Sequence, residues 1–310
     1  AKLAALGPGA FPADTALLPE DAVVRRIGGT LDLSAHVLAQ ETPQERRLVL
    51  PSQILGRLVA EDGAKDAALL ALAKAALPRP ALLPRRPLLE RAGGPLLRRM
   101  VGHTNGVNAV AVTADGKRAV SGSQDKTLGL WDLDSGTLIR RLEGHTGGVT
   151  AIAVTADGTR AVSGSYDQTL GLWDLDSGTL IRRLEGHTGW VTAVAVTADG
   201  RRAVSGSWDN TLGLWDLDSG TLIRRLKGHA DWVRAVAVTA DGRRAVSGSD
   251  DKTVGLWNLD SGTLIRRLKG CTGGVIAVAV TADGRRAVSG SDDTLGLWDL
   301  DSGTLIRRLK

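Results

Sequence analysis

Four times along the chain a histidine, a serine, an aspartate and a tryptophan recur at fixed spacing. The sets are His103, Ser121, Asp125 and Trp131; His145, Ser163, Asp167 and Trp173; His187, Ser205, Asp209 and Trp215; and His229, Ser247, Asp251 and Trp257. Ser, His and Asp are the residue types of nucleophilic hydrolysis, in which the His takes the Ser proton and the Asp holds the His. A catalytic triad, however, is built once, in a cleft, beside donors for the developing oxyanion. Four unchanged copies point instead to structural networks, because buried polar groups need partners and linked chains of them pin turns. The Trp adds a large apolar body with one N–H to satisfy.

Other residues invite chemistry more weakly. Asp250-Asp251 and Asp292-Asp293 are adjacent carboxylates, but neighbours along a strand face opposite ways and do not share acid–base or metal work. Cys271 stands where a fifth His would be. A reactive thiol wants a cationic neighbour, and none is evident along the sequence. His36 stands alone and reads as structural or exposed. The phosphate-cradling pattern Gly-x-x-x-x-Gly-Lys-Ser/Thr occurs nowhere. The expectation is a chain that is not an enzyme and uses no metal or cofactor.

A repeated scaffold must position these sets. In residues 186–227, Gly186-His187 precedes an apolar segment at 191–196 and the turn Ala198-Asp199-Gly200. Segments at 203–209 and 211–216 follow, then Asp218-Ser219-Gly220 and a last segment at 221–226. Short segments rich in Val, Ala and Leu, parted by Gly, Asp and Ser, predict a four-stranded antiparallel meander. One such sheet cannot bury both faces, so neighbouring copies must do it. Gly-His pairs stand at 102–103, 144–145, 186–187 and 228–229, and Gly270-Cys271 holds the fifth place. Trp131-Asp132, Trp173-Asp174, Trp215-Asp216, Trp257-Asn258 and Trp298-Asp299 keep step, with one residue fewer in the last interval.

On these residues the chain resembles the WD-repeat β-propeller family, whose signature is Gly-His followed by Trp-Asp at a period of roughly 40–45. The resemblance covers residues 95–310. It implies an all-β propeller of five four-stranded blades at 102–143, 144–185, 186–227, 228–269 and 270–310. Residues 95–101 align with a fourth strand and are expected to form an extra one. The resemblance also implies that each His–Ser–Asp–Trp set is a hydrogen-bonded tetrad tying the turn before the first strand to the second and third strands. Blade five, with Cys271 and a shortened turn after Asp293, reads as weakened, its Ser289 and Asp293 lacking their link. Each fourth strand carries an Arg pair, Arg140-Arg141 and its copies, expected to be charge on a solvated outer edge. Seven blades are commoner in the family than five. Six fourth strands against five sets of the others predict that the chain does not stand alone as a closed five-bladed ring. It is expected to be part of a longer array or to join further copies blade to blade.

The copies differ at few places. Before the tetrad Asp stand Gln124, Tyr166, Trp208, Asp250 and Asp292. Before the first strand stand Gly106, Gly148, Trp190, Trp232 and Gly274, and just inside it Asn108, Thr150, Thr192, Arg234 and Ile276. The resemblance implies that these places share one end of the propeller, around its central channel. Tyr166, Trp190, Trp208 and Trp232 with Arg234 have the composition of a protein-binding hot spot, and Gln124, Asp250 and Asp292 fall beside them. The competing reading has Trp190 and Trp232 merely covering their own loops.

The front of the chain has a different character. Residues 1–77 show helix-like apolar spacing, with a capping box at Thr42-Pro43-Gln44-Glu45, and residues 78–94 are a Pro-rich linker. Leu33–Leu38, Gln53–Leu58 and Gly93–Leu97 resemble the helical connector ahead of the propeller in bacterial multidomain signalling ATPases of the STAND type. Residues 1–101 carry 14 basic and 10 acidic residues, residues 102–310 carry 25 and 24. The nearly neutral repeat region counts against nucleic acid, which wants a clustered basic face. One Cys suits a reducing compartment, and no apolar run is long enough to span a membrane. The chain starts with Ala, from which it is expected to be a trimmed piece of a longer protein. The expected function is a protein- or peptide-binding scaffold or sensor, the C-terminal arm of a larger cytoplasmic bacterial signalling protein. The alternative is a nucleic-acid-binding propeller using the Arg rim and the loop Trp residues.

Overall fold

In the computed structural model the described residues are 99–292 and 294–309. The expected helices, the linker and most of the expected strand at 95–101 lie outside them. From Gly102 onward the chain forms one compact unit, in which each repeat is a four-stranded antiparallel sheet. Blade one comprises β1 (Val107–Val112), β2 (Arg118–Ser123), β3 (Leu128–Asp132) and β4 (Leu138–Leu142), hydrogen-bonded in that order. Blade two runs from β5 (Val149–Val154) to β8 (Leu180–Leu184), blade three from β9 (Val191–Val196) to β12 (Leu222–Lys227). Blade four runs from β13 (Val233–Val238) to β16 (Thr263–Lys269), blade five from β17 (Val275–Val280) to β20 (Leu305–Leu309).

The turn residues set these hairpins. Between β1 and β2, the Gly116 N–H donates to the Thr113 carbonyl at 2.9 Å, with Gly116 at φ +70°, while the Thr113 hydroxyl donates to Asp115 at 2.6 Å. Only glycine enters that left-handed region freely. Between β2 and β3 the left-handed residue is Lys126, and its copies are Gln168, Asn210 and Lys252. Blade five lacks that residue: Ser291 and Thr294 pair directly, the Ser291 N–H reaching the Thr294 carbonyl at 2.9 Å. Its missing residue is therefore the one with unfavourable backbone geometry. After β3, Asp132 caps the next turn by accepting from the N–H and hydroxyl of Ser135, both at 2.7 Å. That is the role of the Asp in each Trp-Asp pair.

Blades pack through four apolar seams. In the first, Val120, Leu128, Leu130 and Leu142 of blade one meet Val149, Trp173 and Leu175 of blade two, all buried. The same positions recur between blades two and three, three and four, and four and five. Among the described residues no fifth seam joins blade five to blade one. Val107 is 51% exposed where its equivalents Val149, Val191, Val233 and Val275 are all 0%. At the other end Leu295 is 48% exposed where Leu128, Leu170 and Leu212 are 0%. The five blades form an open arc. Blade five is completed by its own β20 on β19 (Leu295–Asp299), and residues 99–101 are exposed and outside any strand.

Candidate functional site

Each tetrad centres on the Ser of the β2-type strand, with the Trp on the β3-type strand, the His ahead of the first strand and the Asp in the turn after the second. In blade three His187 Nδ1 lies 2.7 Å from Asp209 Oδ2, and its Nε2 lies 2.7 Å from Ser205 Oγ. The Trp215 indole N–H donates to the same Ser205 oxygen at 2.8 Å. Blades one, two and four repeat this within 0.1 Å. The Asp accepts, so Nδ1 carries the proton, and the neutral ring then accepts at Nε2 from the Ser hydroxyl. The chain of donation runs Trp to Ser to His to Asp. Burial holds the His229 imidazole below its ordinary value, outweighing the hydrogen bond and charge of Asp251. For Asp209, burial acts to raise the carboxyl. Hydrogen bonds from His187, Thr211 and the Thr188 N–H prevail and hold it well below the usual carboxylate range. Asp125, Asp167 and Asp251 are lowered by the same balance. Ser163, Ser205 and Ser247 are completely buried, with their oxygens already engaged. They cannot meet a substrate carbonyl.

The first Arg of each pair, such as Arg140 and Arg224, is exposed on the outer strand as the sequence leads one to expect, and the second turns partly inward in blades one to three. Arg141 stands opposite Gly129 in the β3–β4 register, and Gly129 lies against Ser121 and Trp131, so the guanidinium reaches back over the tetrad. It bonds the Gly102 carbonyl and approaches Asp125 at 3.8 Å. Arg183 and Arg225 do the same to Gly144 and Asp167 and to Gly186 and Asp209. The first Arg of the pair crosses to the next blade, Arg140 to the Ser177 carbonyl and Arg224 to that of Ser261 at 2.8 Å. The tetrads of blades one to three are thus extended by an Arg, and all four by a Thr, such as Thr211, whose hydroxyl donates to Asp209 at 2.6 Å. The signal was their fixed place in every repeat. In blade five Trp298 still donates to Ser289 at 2.8 Å, while Cys271 Sγ stands 3.8 Å from that oxygen. Burial pushes the Cys271 thiol up, against a smaller pull from Ser289 and the nearby Arg308. Arg308 is the cationic neighbour the sequence did not reveal, and it does not activate the thiol. Asp293 lies outside the described residues.

The variable positions meet in two ways. Within a blade they are paired by backbone: Trp208 N–H donates to the Trp190 carbonyl, and Asp250 N–H to that of Trp232, each at 2.9 Å. Across each seam the residue before the tetrad Asp faces the residue before the next first strand. The facing pairs are Gln124 with Gly148, Tyr166 with Trp190, Trp208 with Trp232, and Asp250 with Gly274. Asp292 holds the same place in blade five, beside Gly273.

The aromatic members form a ladder over blades two to four. Ring centroids are 4.5 Å apart for Tyr166–Trp190, 4.2 Å for Trp190–Trp208 and 3.8 Å for Trp208–Trp232, the last pair stacked at 5°. The Arg234 guanidinium lies 5.4 Å and 5.0 Å from the Trp208 and Trp232 centroids and pairs with Asp250 at 2.8 Å. Trp190 and Trp232 remain 38% and 37% exposed. They do not simply cover their own loops, because Trp232 stacks on Trp208 of the neighbouring blade and Trp190 meets Tyr166 of its neighbour at a tilt of 58°. The Trp208 indole N–H is buried with no partner. Asn108, Thr150, Thr192, Arg234 and Ile276, with Tyr166 and Trp208, line one recess. Thr150 and Thr192 are spent there on carbonyls, including those of Val191 and Val233 in the next blade.

Against known families, residues 94–132, 136–174, 178–216, 220–258 and 262–299 each match WD40, the WD domain, G-beta repeat. No curated protein matches the chain.

Proposed function

Because the chain belongs to the WD40 repeat family, we propose that it is a non-catalytic protein-interaction scaffold whose partner docks on the ladder of Tyr166, Trp190, Trp208, Trp232 and Arg234. One observation carries this reading: Trp190 and Trp232 occupy positions that are Gly106, Gly148 and Gly274 in the other blades. The repeat folds and packs with glycine there, so the fold does not require the two half-open indoles. A pre-stacked surface of Trp, Tyr and Arg is chemistry suited to burying a peptide or loop at small entropic cost. Gln124, Asp250 and Asp292 would supply the polar rim. The nucleic-acid alternative leans on the Arg pairs, and Arg140, Arg141, Arg183, Arg224, Arg225, Arg266 and Arg308 are engaged with carbonyls or tetrad carboxylates. The role as the C-terminal sensing arm of a larger bacterial signalling protein, in the cytoplasm, belongs to the same proposal. It is supported by the single Cys and by the front-segment motifs, which lie outside the described residues.

The test is capture of partners by the intact chain and by Trp190→Ala and Trp232→Ala, followed by affinity measurement on each captured protein. Each variant should weaken binding by about 2 kcal/mol or more with an unchanged melting temperature. Partners held equally by the double variant would refute the site. Binding that falls steeply with salt and survives only with nucleic acid present would refute the protein-scaffold reading.

A further inference from the structure

The recess beside the aromatic ladder holds hydrogen-bond donors that the chain itself leaves unspent. Its volume is about 290 Å³, at the bottom of the range of small-molecule pockets and suited to one inserted side chain. Most of its polar lining is engaged. The Asn108 amide donates to the Val149 carbonyl at 2.9 Å, and the Thr150 and Thr192 hydroxyls donate to carbonyls. Two groups differ. The Trp208 indole N–H is buried with no partner, a state that costs free energy until an acceptor arrives. Arg234 binds Asp250 through Nε at 2.9 Å and Nη2 at 2.8 Å, both on the same carboxylate oxygen. That is the side edge of the guanidinium. Its end fork includes Nη1, which has no partner among the described residues. Two parallel N–H groups on such a fork match the geometry of a carboxylate.

The ladder favours the same charge. Trp190 lies between Tyr166 and Trp208, and Trp208 between Trp190 and Trp232. The ring faces are thus largely taken by one another, and what remains open is mainly edge. An aromatic face is negative and its edge positive. A cation or a nucleobase wants a free face, and the Arg234 guanidinium already lies against Trp208 and Trp232. A carboxylate is served by ring edges, an N–H and an open fork. Ile276 adds an apolar wall for the methylenes that carry it. Asp250 offsets most of the guanidinium charge, which leaves little for a phosphate backbone, whose binding rests on several cations.

Taking the ladder as the docking surface, on which this reading rests, we propose that the recess is the specificity pocket for a Glu or Asp side chain of the partner. Arg234 holds the carboxylate end-on, and the Trp208 N–H is a further donor. Arg234 stands in one blade only, with Asn108, Thr150, Thr192 and Ile276 at its place in the others, so the repeat folds without it.

The test uses the full chain and a library of random linear peptides displayed without a free C-terminus. Retained sequences are then made as N-acetylated, C-amidated peptides. Those whose binding needs Trp190 and Trp232 should share one acidic position. Changing that Glu to Gln should weaken binding about ten- to a hundredfold, as expected for a hydrogen bond to a charged group. The double variant Arg234→Thr, Asp250→Gln places at both positions residues that other blades carry, so it folds and leaves no carboxylate unpaired. It should bind the Glu and Gln peptides equally, each as weakly as the intact chain binds the Gln peptide. On the intact chain, the indole N–H resonance that Trp208→Phe removes should move downfield with the Glu peptide and stay in place with the Gln peptide. Ladder-dependent peptides with no acidic preference, a Glu–Gln difference that persists in the double variant, or an unmoved Trp208 resonance overturn the pocket and leave the docking surface standing. Peptides that bind the Trp190→Ala, Trp232→Ala chain as well as the intact one, or a library from which nothing is retained, overturn both. Binding confined to peptides with a free C-terminus overturns the assignment to a side chain.

Discussion

Replacing His187 with alanine tests the claim that the tetrads hold the blades rather than perform chemistry. His187 is 7% exposed, and its ring is bonded at both nitrogens at 2.7 Å. Asp209 would lose one donor but keep the Thr188 N–H at 3.1 Å, the Thr211 N–H at 3.0 Å and the Thr211 hydroxyl at 2.6 Å. Its share of the loss is therefore near the low end for a bond to a charged group, about 1.5 kcal/mol. Ser205, completely buried, loses the acceptor of its hydroxyl, which costs about 1 kcal/mol more. The vacated ring space beside Trp215, 5.8 Å away between centroids, adds a further cavity term of about 1 kcal/mol. The sum is about 3–4 kcal/mol, expressed locally. Native-state hydrogen exchange is the assay, because a five-blade array need not unfold in one step. Amides of residues 186–227 should exchange faster, with smaller effects in the adjoining blades. Loss of under about 0.5 kcal/mol, or an equal rise in all five blades, would refute the account.

Gly206→Ala should cost about 1–3 kcal/mol by overpacking against the buried Val233, whereas Gly290→Ala should stay within about 0.5 kcal/mol; urea denaturation compares them. Trp208→Phe should be nearly neutral, because it removes a buried unpartnered N–H, while Trp208→Ala should cost about 3 kcal/mol; thermal melts separate the two. Acid should destabilise in two windows. The folded-state pKa of His229 is depressed, so its contribution is full above the unfolded value of about 6.5 and is lost as pH falls from there through the lowered folded value. The tetrad carboxylates are also depressed, so theirs is full above about 3.9 and is lost on further acidification. Denaturation midpoints against pH, with Asp209→Asn as comparison, check the lower window, which should flatten in the variant.

Most of the scaffold could be read from the chain because each feature is local and repeated. Turn glycines, alternating Val and Ala, and the spacing of His103, Ser121, Asp125 and Trp131 name the strands and their links without any distant information. The exposed first Arg of each pair was legible as charge on an outer strand, whereas the inward reach of Arg141, Arg183 and Arg225 was not. Gly129 facing Arg141 makes a path inward that no periodicity reveals. The facing of Tyr166 with Trp190 and of Trp208 with Trp232 crosses a seam, and the sequence marked those positions as variable without showing that they touch.

Whether the array closes is a different kind of information. Every seam depends only on one blade and the next, so four good seams say nothing about the angle left after the fifth blade. Identical repeats make this sharper. If any blade end fits any blade start, the sequence specifies adjacency and leaves the number of blades free. At blade five the departures are Cys271 and the shortened turn before Thr294, in which Asp292 itself lies, while Gly290 and Arg286 keep the residue types of their equivalents in the other blades. Blade five is thus altered inside its own tetrad while it keeps the glycine and the arginine that blades one to four use at their seams.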